Sequence, residues 1–193
     1  MLSSYLLAHQ FKTVRYKKGA VVYEPGQNPR YVYFIKSGEI RMVTVNDEGR
    51  EFIQGIFKSP QYFGEPALLL QRPYLAYTIA SSDTELILVD QQHFMKLLEE
   101  DRAFSMNLIE TLSNRLFYKS MMLEELGNEQ AEHRLKTLIT YLGRELETGA
   151  DLGVTRRELA DMSGLRVETV IRTIKKMAAA GEISLRRGKI TRM

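Results

Sequence analysis

Cysteine is absent from the 193-residue chain and histidine occurs only three times. Without cysteine there are no disulfides, iron–sulfur clusters, thiolate zinc sites or cysteine nucleophiles, so any sensing chemistry has to proceed without sulfur ligands. His9, His93 and His133 are far apart in sequence and fall on stretches that read as helix, which makes packing or surface roles the expectation and haem ligation a poor fit. The segment Ala20 to Val89 contains no histidine, and a metal-binding β-barrel enzyme needs clustered His and Glu on neighbouring strands. No nucleophile–base constellation stands elsewhere, so an enzyme is not expected. Long apolar runs are missing too: none approaches the roughly 20 residues of a membrane span, and Met1 to Gln10 lacks a basic, signal-like start. The expectation is a soluble, cytoplasmic protein without membrane partners, and its 44% hydrophobic content suffices for a sizeable core.

Charge is unevenly distributed. Residues 1–128 hold 14 Lys/Arg against 15 Asp/Glu, whereas residues 154–193 hold 10 against 4. A basic stripe of that density is the electrostatic footprint of a nucleic-acid module.

From Ala20 to Val89 the apolar residues come in short β-branched and aromatic runs (AVVY, YVYFI, IRMVTV, EFIQGIF, YTIA, ELILV) separated by turn clusters such as EPGQNP and NDEG. Strands of this length, with no helical pattern between them, predict an antiparallel β sandwich or barrel. After Asp90 the period changes. QQHFMKLLEEDRAF reads as a short helix, and a longer one carries Ile109, Leu112, Leu116, Leu123 and Leu126 on alternating three- and four-residue steps, interrupted at Lys119. That heptad seam suits a homodimer axis. Gly127 and Asn128 break the helix and are the hinge candidates. The predicted segments are therefore 1–98 (β domain), 99–127 (dimer helix) and 128–193 (basic module).

In the basic module VTRRELADMSGLRVETVIRTIKKMAAAG reads as two helices joined by a tight turn. Thr155 with Glu158 three residues later is a capping box, which starts a helix at Arg156; Gly164 stops it. In the second helix Val170, Ile174 and Met177 form a buried stripe that turns Glu168, Thr169, Arg172, Lys175 and Lys176 outward. A helix-turn-helix uses such a face on double-stranded DNA, Arg reaching guanine, Glu accepting from cytosine, and flanking Lys and Arg holding phosphates. EISLRRGKITRM, with Arg187 at its turn, reads as a winged hairpin. Alternatively Glu168 and Arg172 form only an i,i+4 surface salt bridge, and the helical tail of a ligand-binding β module docks protein instead of DNA.

With these motifs in place the chain resembles the CRP/FNR family of bacterial transcription regulators over nearly its whole length. YVYFIKSGEI and FGEPALL look like the glycine motifs of that family's cyclic-nucleotide-binding β-roll, and TRRELADMSGLRVETVIRTIKKM is similar to its DNA-binding signature. The resemblance implies an α+β fold: an antiparallel, jelly-roll-like β-roll, a long dimerisation helix and a winged helix-turn-helix. It implies Glu168 and Arg172 as principal base readers, Thr155, Arg156 and Thr169 among the DNA contacts, and RNA polymerase as a partner. Val167 stands where cyclic-AMP-responsive members carry a further arginine. Arg166 replaces the small polar residue that opens the recognition helix, forgoing a cap typically worth about 1 kcal/mol and offering a phosphate contact instead.

The family's effector pocket would comprise Gly64, Glu65, Pro66, Ala67, Arg72, Tyr74 and Leu75, with Lys119 and Ser120 from the long helix. Tyr74 and Leu75 align with the Arg-Ser pair that grips the cyclic phosphate in relatives, and Lys119 replaces a threonine. A buried phosphate without a cation is costly, so cyclic AMP is not the expected effector. The pocket is either filled by its own aromatic and leucine side chains or holds another ligand through Arg72 and Lys119. No cofactor is expected.

Overall fold

The computed structural model describes residue 5 and residues 9–127, 131–186 and 189–192. The chain divides into two compact units, Met1–Ser113 and Asn114–Met193, so the long helix contributes to both. Each unit is described by itself.

The first unit holds β1 (Lys12–Tyr16), β2 (Val21–Tyr23), β3 (Tyr31–Ser37), β4 (Glu39–Val45), β5 (Glu51–Lys58), β6 (Tyr62–Phe63), helix α1 (Glu65–Leu70), β7 (Tyr77–Ala80), β8 (Thr84–Asp90), α2 (Gln91–Glu100) and the first half of α3 (Arg102–Gly127). The strands form two four-stranded sheets of order β1-β8-β3-β6 and β2-β7-β4-β5, with every pairing antiparallel. Side chains alternate across a strand, and β3 exploits both of its faces. Tyr33 and Ile35 point between the sheets, where they meet Phe63, Leu86 and Leu88 of their own sheet and Tyr23, Ile40, Phe57 and Ala80 of the other. Val32 and Phe34 point the opposite way and are covered by Leu68, Phe94, Leu97 and Leu108 from the three helices. Complete burial of an aromatic such as Phe94 stabilises by about 1.5–3 kcal/mol.

Two glycines are indispensable to the turns. Gly38, between β3 and β4, has φ 90° and a backbone so close to Thr84 that a Cβ would sit 2.6 Å from Asp83 O. Gly64, ahead of α1, has φ 92° and passes 3.1 Å from Tyr31 O in the same sense. A side chain at either position would be strained by the left-handed backbone, with an outright backbone clash at Gly38 and a tight contact at Gly64.

The second unit contains the end of α3, then α4 (Ala131–Gly143), α5 (Arg156–Ser163), α6 (Val167–Ala179) and the hairpin β9 (Ile183–Arg186) and β10 (Lys189–Arg192). Its core gathers Leu135, Leu138, Leu159, Val170, Ile174, Met177, Ile183 and Ile190. The α+β arrangement expected from the sequence is the one found. Strands β1 and β6 and helix α4 are additions to that expectation. Asn128, one of the two hinge candidates, lies outside the described residues, as does Arg187.

Candidate nucleic-acid interface and the interior of the roll

The reading module is built locally. Thr155 Oγ1 accepts from Glu158 N at 3.1 Å and Thr155 N donates to Glu158 Oε2 at 2.7 Å, so the capping box is reciprocal. Gly164 closes α5 at φ 68° and Leu165 N returns to Ala160 O at 3.1 Å, which aims the chain into α6. Arg166 is the N-cap of α6 and makes no side-chain capping bond. Val170, Ile174 and Met177 are buried as the periodicity predicts, joined by Thr173. Opposite them Glu168, Arg172, Lys175 and Lys176 are exposed, while Val167 and Thr169 are half-buried at the rim.

The exposed charges differ in their partners. Among the described residues Glu168 and Arg172 make no ion pair with each other, so the alternative of a surface salt bridge is not realised. Lys176 Nζ, in contrast, lies 2.9 Å from Glu132 Oε2 on α4, and that hydrogen bond holds the Glu132 carboxyl below its ordinary pKa. Behind the helix Lys136 pairs with Glu182 at 2.8 Å. The hairpin is anchored from behind as well: Leu152 N donates to Ile190 O at 2.9 Å and Lys189 Nζ reaches Asp151 Oδ2 at 2.9 Å. Of the hairpin's apolar residues Ile183 and Ile190 are buried, whereas Leu185 is exposed.

Helix α3 presents Met106, Ile109, Leu116, Phe117, Leu123 and Leu126 to the surface, with Ile109 57%, Leu116 67% and Leu123 72% exposed. Leu112 departs from the predicted seam. It turns with Leu108 toward the helix-covered face of β3. Lys119 and Ser120 occupy exposed positions on α3 in the second unit.

In the first unit the residues aligned with the phosphate clamp part company. Tyr74 is 5% exposed and its ring lies flat on Tyr23, centroids 3.6 Å apart and planes 8° from parallel. Tyr33 and Phe63 stack beside it at 5.1 Å. The loop is pinned by Tyr74 N to Gln27 O at 3.0 Å and Gly26 N to Tyr74 O at 2.8 Å, so the ring is fixed between the sheets. Burial, reinforced by the adjacent Tyr23 phenol, pushes the Tyr74 hydroxyl up to about 12. Leu75, expected to add apolar bulk to the pocket, is 87% exposed between the buried Tyr74 and Ala76. Arg72 is exposed after α1 and brings no charge into the interior. Glu65 is fully buried at the start of α1, Pro66 occupies its first turn, and Ala67 packs on the aromatic core.

The histidines are less isolated than their spacing suggests. His9 and His93 lie 6.2 Å apart, centroid to centroid, around Phe11, and His93 Nδ1 bonds Asp90 at 2.9 Å. His133 Nδ1 bonds Glu125 Oε2 at 2.8 Å. Among the described residues no cluster of three or more His, Cys, Asp or Glu could hold a metal ion. No described helix is long and apolar enough to cross a membrane.

Comparison with known proteins agrees with this anatomy. Residues 13–101 match the family described as cyclic nucleotide-binding domain, and residues 133–192 match the Crp-like helix-turn-helix domain. The chain is 26% identical over 180 residues to the cyclic AMP receptor protein of Thermus thermophilus, covering 93% of this chain and 83% of that one. The solved structure of the c-di-GMP-responsive global regulator CLP of Xanthomonas campestris superposes with a TM-score of 0.74 at 25% identity, over 97% of this chain and 96% of the other. A CooA mutant from Carboxydothermus hydrogenoformans shares the fold at a TM-score of 0.82 and 22% identity, over 98% and 90% of the two chains. With both domain types matched in the order that the strands, the long helix and the capped reading module occupy, the chain belongs to the CRP/FNR family of DNA-binding transcription regulators.

Proposed function

We propose that the protein is a homodimeric, sequence-specific regulator in which α6 of each protomer enters the major groove of double-stranded DNA. The observation that carries this reading is the ridge of Glu168, Arg172 and Lys175 on α6, exposed opposite a fully buried stripe. Arg172 is the guanine reader and Glu168 the acceptor from cytosine, while Lys175 and Arg166 meet phosphates. Two such helices require half-sites about 34 Å apart, one helical turn. The exposed apolar side of α3 around Ile109, Leu116 and Leu123 is the surface for the second copy. RNA polymerase is the partner that the family resemblance suggests.

The effector is not cyclic AMP. Tyr74 fills the interior where relatives would place a phosphate-gripping arginine, and an anion buried there would meet phenol rings instead of a cation. The Xanthomonas regulator CLP is described as c-di-GMP-responsive, so that dinucleotide belongs beside cyclic AMP and cyclic GMP in any ligand screen.

The test is anisotropy titration of a selected operator duplex and a random duplex. Arg172→Ala should cost about 1–3 kcal/mol on the operator and relax specificity at one position per half-site, whereas Lys175→Ala should weaken both duplexes alike. Equal losses on both duplexes for both variants would overturn the assignment of base reader and phosphate contact.

A further inference from the structure

The last turn of α3 ends in a buried carboxylate to which the family resemblance gives no role. Glu125 is only 7% exposed. Its Oε2 lies 2.8 Å from His133 Nδ1 and its Oε1 accepts from Thr137 Oγ1 at 2.9 Å. Both partners stand on α4, four residues apart and so on one face. The backbone joins the same cluster: Arg134 Nε donates to Glu125 O at 3.0 Å, and Arg134 Nη1 donates to Ser163 O at 3.2 Å. Ser163 is the last residue of α5, immediately before the turn that launches α6. One turn and two turns earlier on α3, Met122 is buried and Tyr118 packs on Tyr141 at 4.7 Å. Tyr118 and Glu125, seven residues apart and so on one side of α3, both meet α4, the first through a ring contact and the second through its carboxylate, with Met122 buried between them in sequence.

Glu125 and its donors tie α3 to α4 with directed hydrogen bonds and so give the pairing a fixed register. The ring contact between Tyr118 and Tyr141 tolerates sliding, whereas a carboxylate with directed donors on one helix face does not. Loss of one partner leaves a buried charge or donor unsatisfied, so the cluster holds one geometry or breaks. Through Arg134 that geometry extends in two hydrogen bonds from the end of α3 to the end of α5.

We infer that Glu125 is a positioning residue for DNA recognition: it fixes the angle of the reading head to the dimer helix and thereby sets the half-site spacing that the dimer accepts. The inference rests on the dimeric DNA-binding reading above. Adding one base pair between half-sites displaces one of them by about 3.4 Å and rotates it by roughly 35° about the duplex axis, given 10–10.5 pairs per turn of 34–36 Å. Heads clasped to a rigid axis meet that change only by deforming the duplex or giving up contacts. Unclasped heads follow it.

The experiment uses the full chain, wild type and the variants Glu125→Ala, Glu125→Gln and Thr137→Val. Each is titrated against a single half-site, the optimally spaced palindrome, and palindromes lengthened or shortened by one base pair. For the wild type, discrimination between optimal and shifted spacing should be about tenfold or more, and Glu125→Ala should reduce it to about twofold, a change within the range of coupling energies between contacting groups. Affinity for the single half-site should stay within about twofold of wild type, since the reading face itself is untouched, where a head that merely misfolded would lose it. Glu125→Gln keeps the shape and an acceptor oxygen and tests the charge if the alanine variant does not fold; it and Thr137→Val should fall between. A spacing preference unchanged in every variant, or half-site affinity falling in parallel with palindrome affinity, would refute the positioning role. If the wild type shows no sequence-specific binding at all, the parent reading fails and takes this one with it.

Discussion

Tyr74→Ala is the most informative single perturbation of the first unit. The side chain is almost wholly enclosed, lies on Tyr23 at 3.6 Å and contacts a core drawn from both sheets. Truncating a buried aromatic to alanine costs about 3–5 kcal/mol through lost transfer energy and the cavity left behind, and the parallel stack itself accounts for about 0.5–1.5 kcal/mol beyond area burial. Because Gln27 and Gly26 pin the backbone on either side of the ring, the loop cannot collapse into the space, which places the cost in the upper part of that range. Denaturant unfolding followed by the circular dichroism of the β unit measures it directly. The same reasoning makes a ligand statement about the wild type. A nucleotide bound with a Kd of 10 μM and present at 1 mM would stabilise the fold by about 2.7 kcal/mol, a readily measured shift of several degrees in melting temperature for a domain this size. Cyclic AMP and cyclic GMP should give none. A Tyr74→Ala protein less than about 1 kcal/mol weaker than wild type, or a clear thermal shift of the wild type with either nucleotide, would refute the picture of a ring that permanently occupies the interior.

Leu116→Glu places a charge on the exposed apolar side of α3 and should convert the proposed dimer to monomer in sedimentation velocity without altering the helical spectrum; a compact dimer would place the interface elsewhere. Glu132→Gln releases Lys176 from its 2.9 Å ion pair and should tighten binding to every duplex, steepening the slope of log K against log salt by up to about 0.9 per head; an unchanged slope would mean that Lys176 does not reach a phosphate. Glu125 carries a pH signature. Burial alone would raise its carboxyl pKa, but the hydrogen bonds from His133 and Thr137 and the charge of Arg134 outweigh it and hold the group below the ordinary carboxylate value. Its stabilisation is therefore complete above the unfolded pKa of about 4.3 and is lost as pH falls through the lower folded value, so Glu125→Gln should flatten the acid limb of the second unit's stability curve. An acid limb identical in the two proteins would contradict that linkage.

Much of this was legible in the chain because the relevant rules are local. The capping box at Thr155 and Glu158, the glycine stop at Gly164 and the Val170–Ile174–Met177 stripe each depend on neighbours within one or two helical turns, and all three are realised. The longer strand runs of the roll are legible for the same reason. Strand β1 was not: KTVRY is an edge strand paired only with β8, and Val14 is its sole aliphatic residue turned to the core. Leu112 shows the limit of periodicity. On a helix covered on one side and open on the other, three- and four-residue steps serve both faces, and only the position of the β unit decides that Leu112 turns inward while Leu116 faces out. The Glu125 cluster is invisible for a different reason. Its partners lie 8 to 12 residues away on another helix, and nothing in Glu124-Glu125 marks which carboxylate is enclosed.

The chain has no tryptophan and ten tyrosines, so its near-ultraviolet absorbance is dominated by phenol rings. The stacked pair Tyr23–Tyr74 in the first unit and the Tyr118–Tyr141 pair in the second are rigid, asymmetric chromophores in separate bodies. Burial holds the hydroxyls of Tyr74 and Tyr118 up to about 12, with neighbouring phenols adding to the effect. In a spectrophotometric titration at alkaline pH these two should stay neutral through the ordinary phenol range of about 10. Because their folded values are raised, they favour the native state below that ordinary value and cease to do so as pH climbs toward the folded one. Their phenolate absorbance should thus arrive late and together with unfolding, giving each half of the molecule a built-in optical reporter that needs no label.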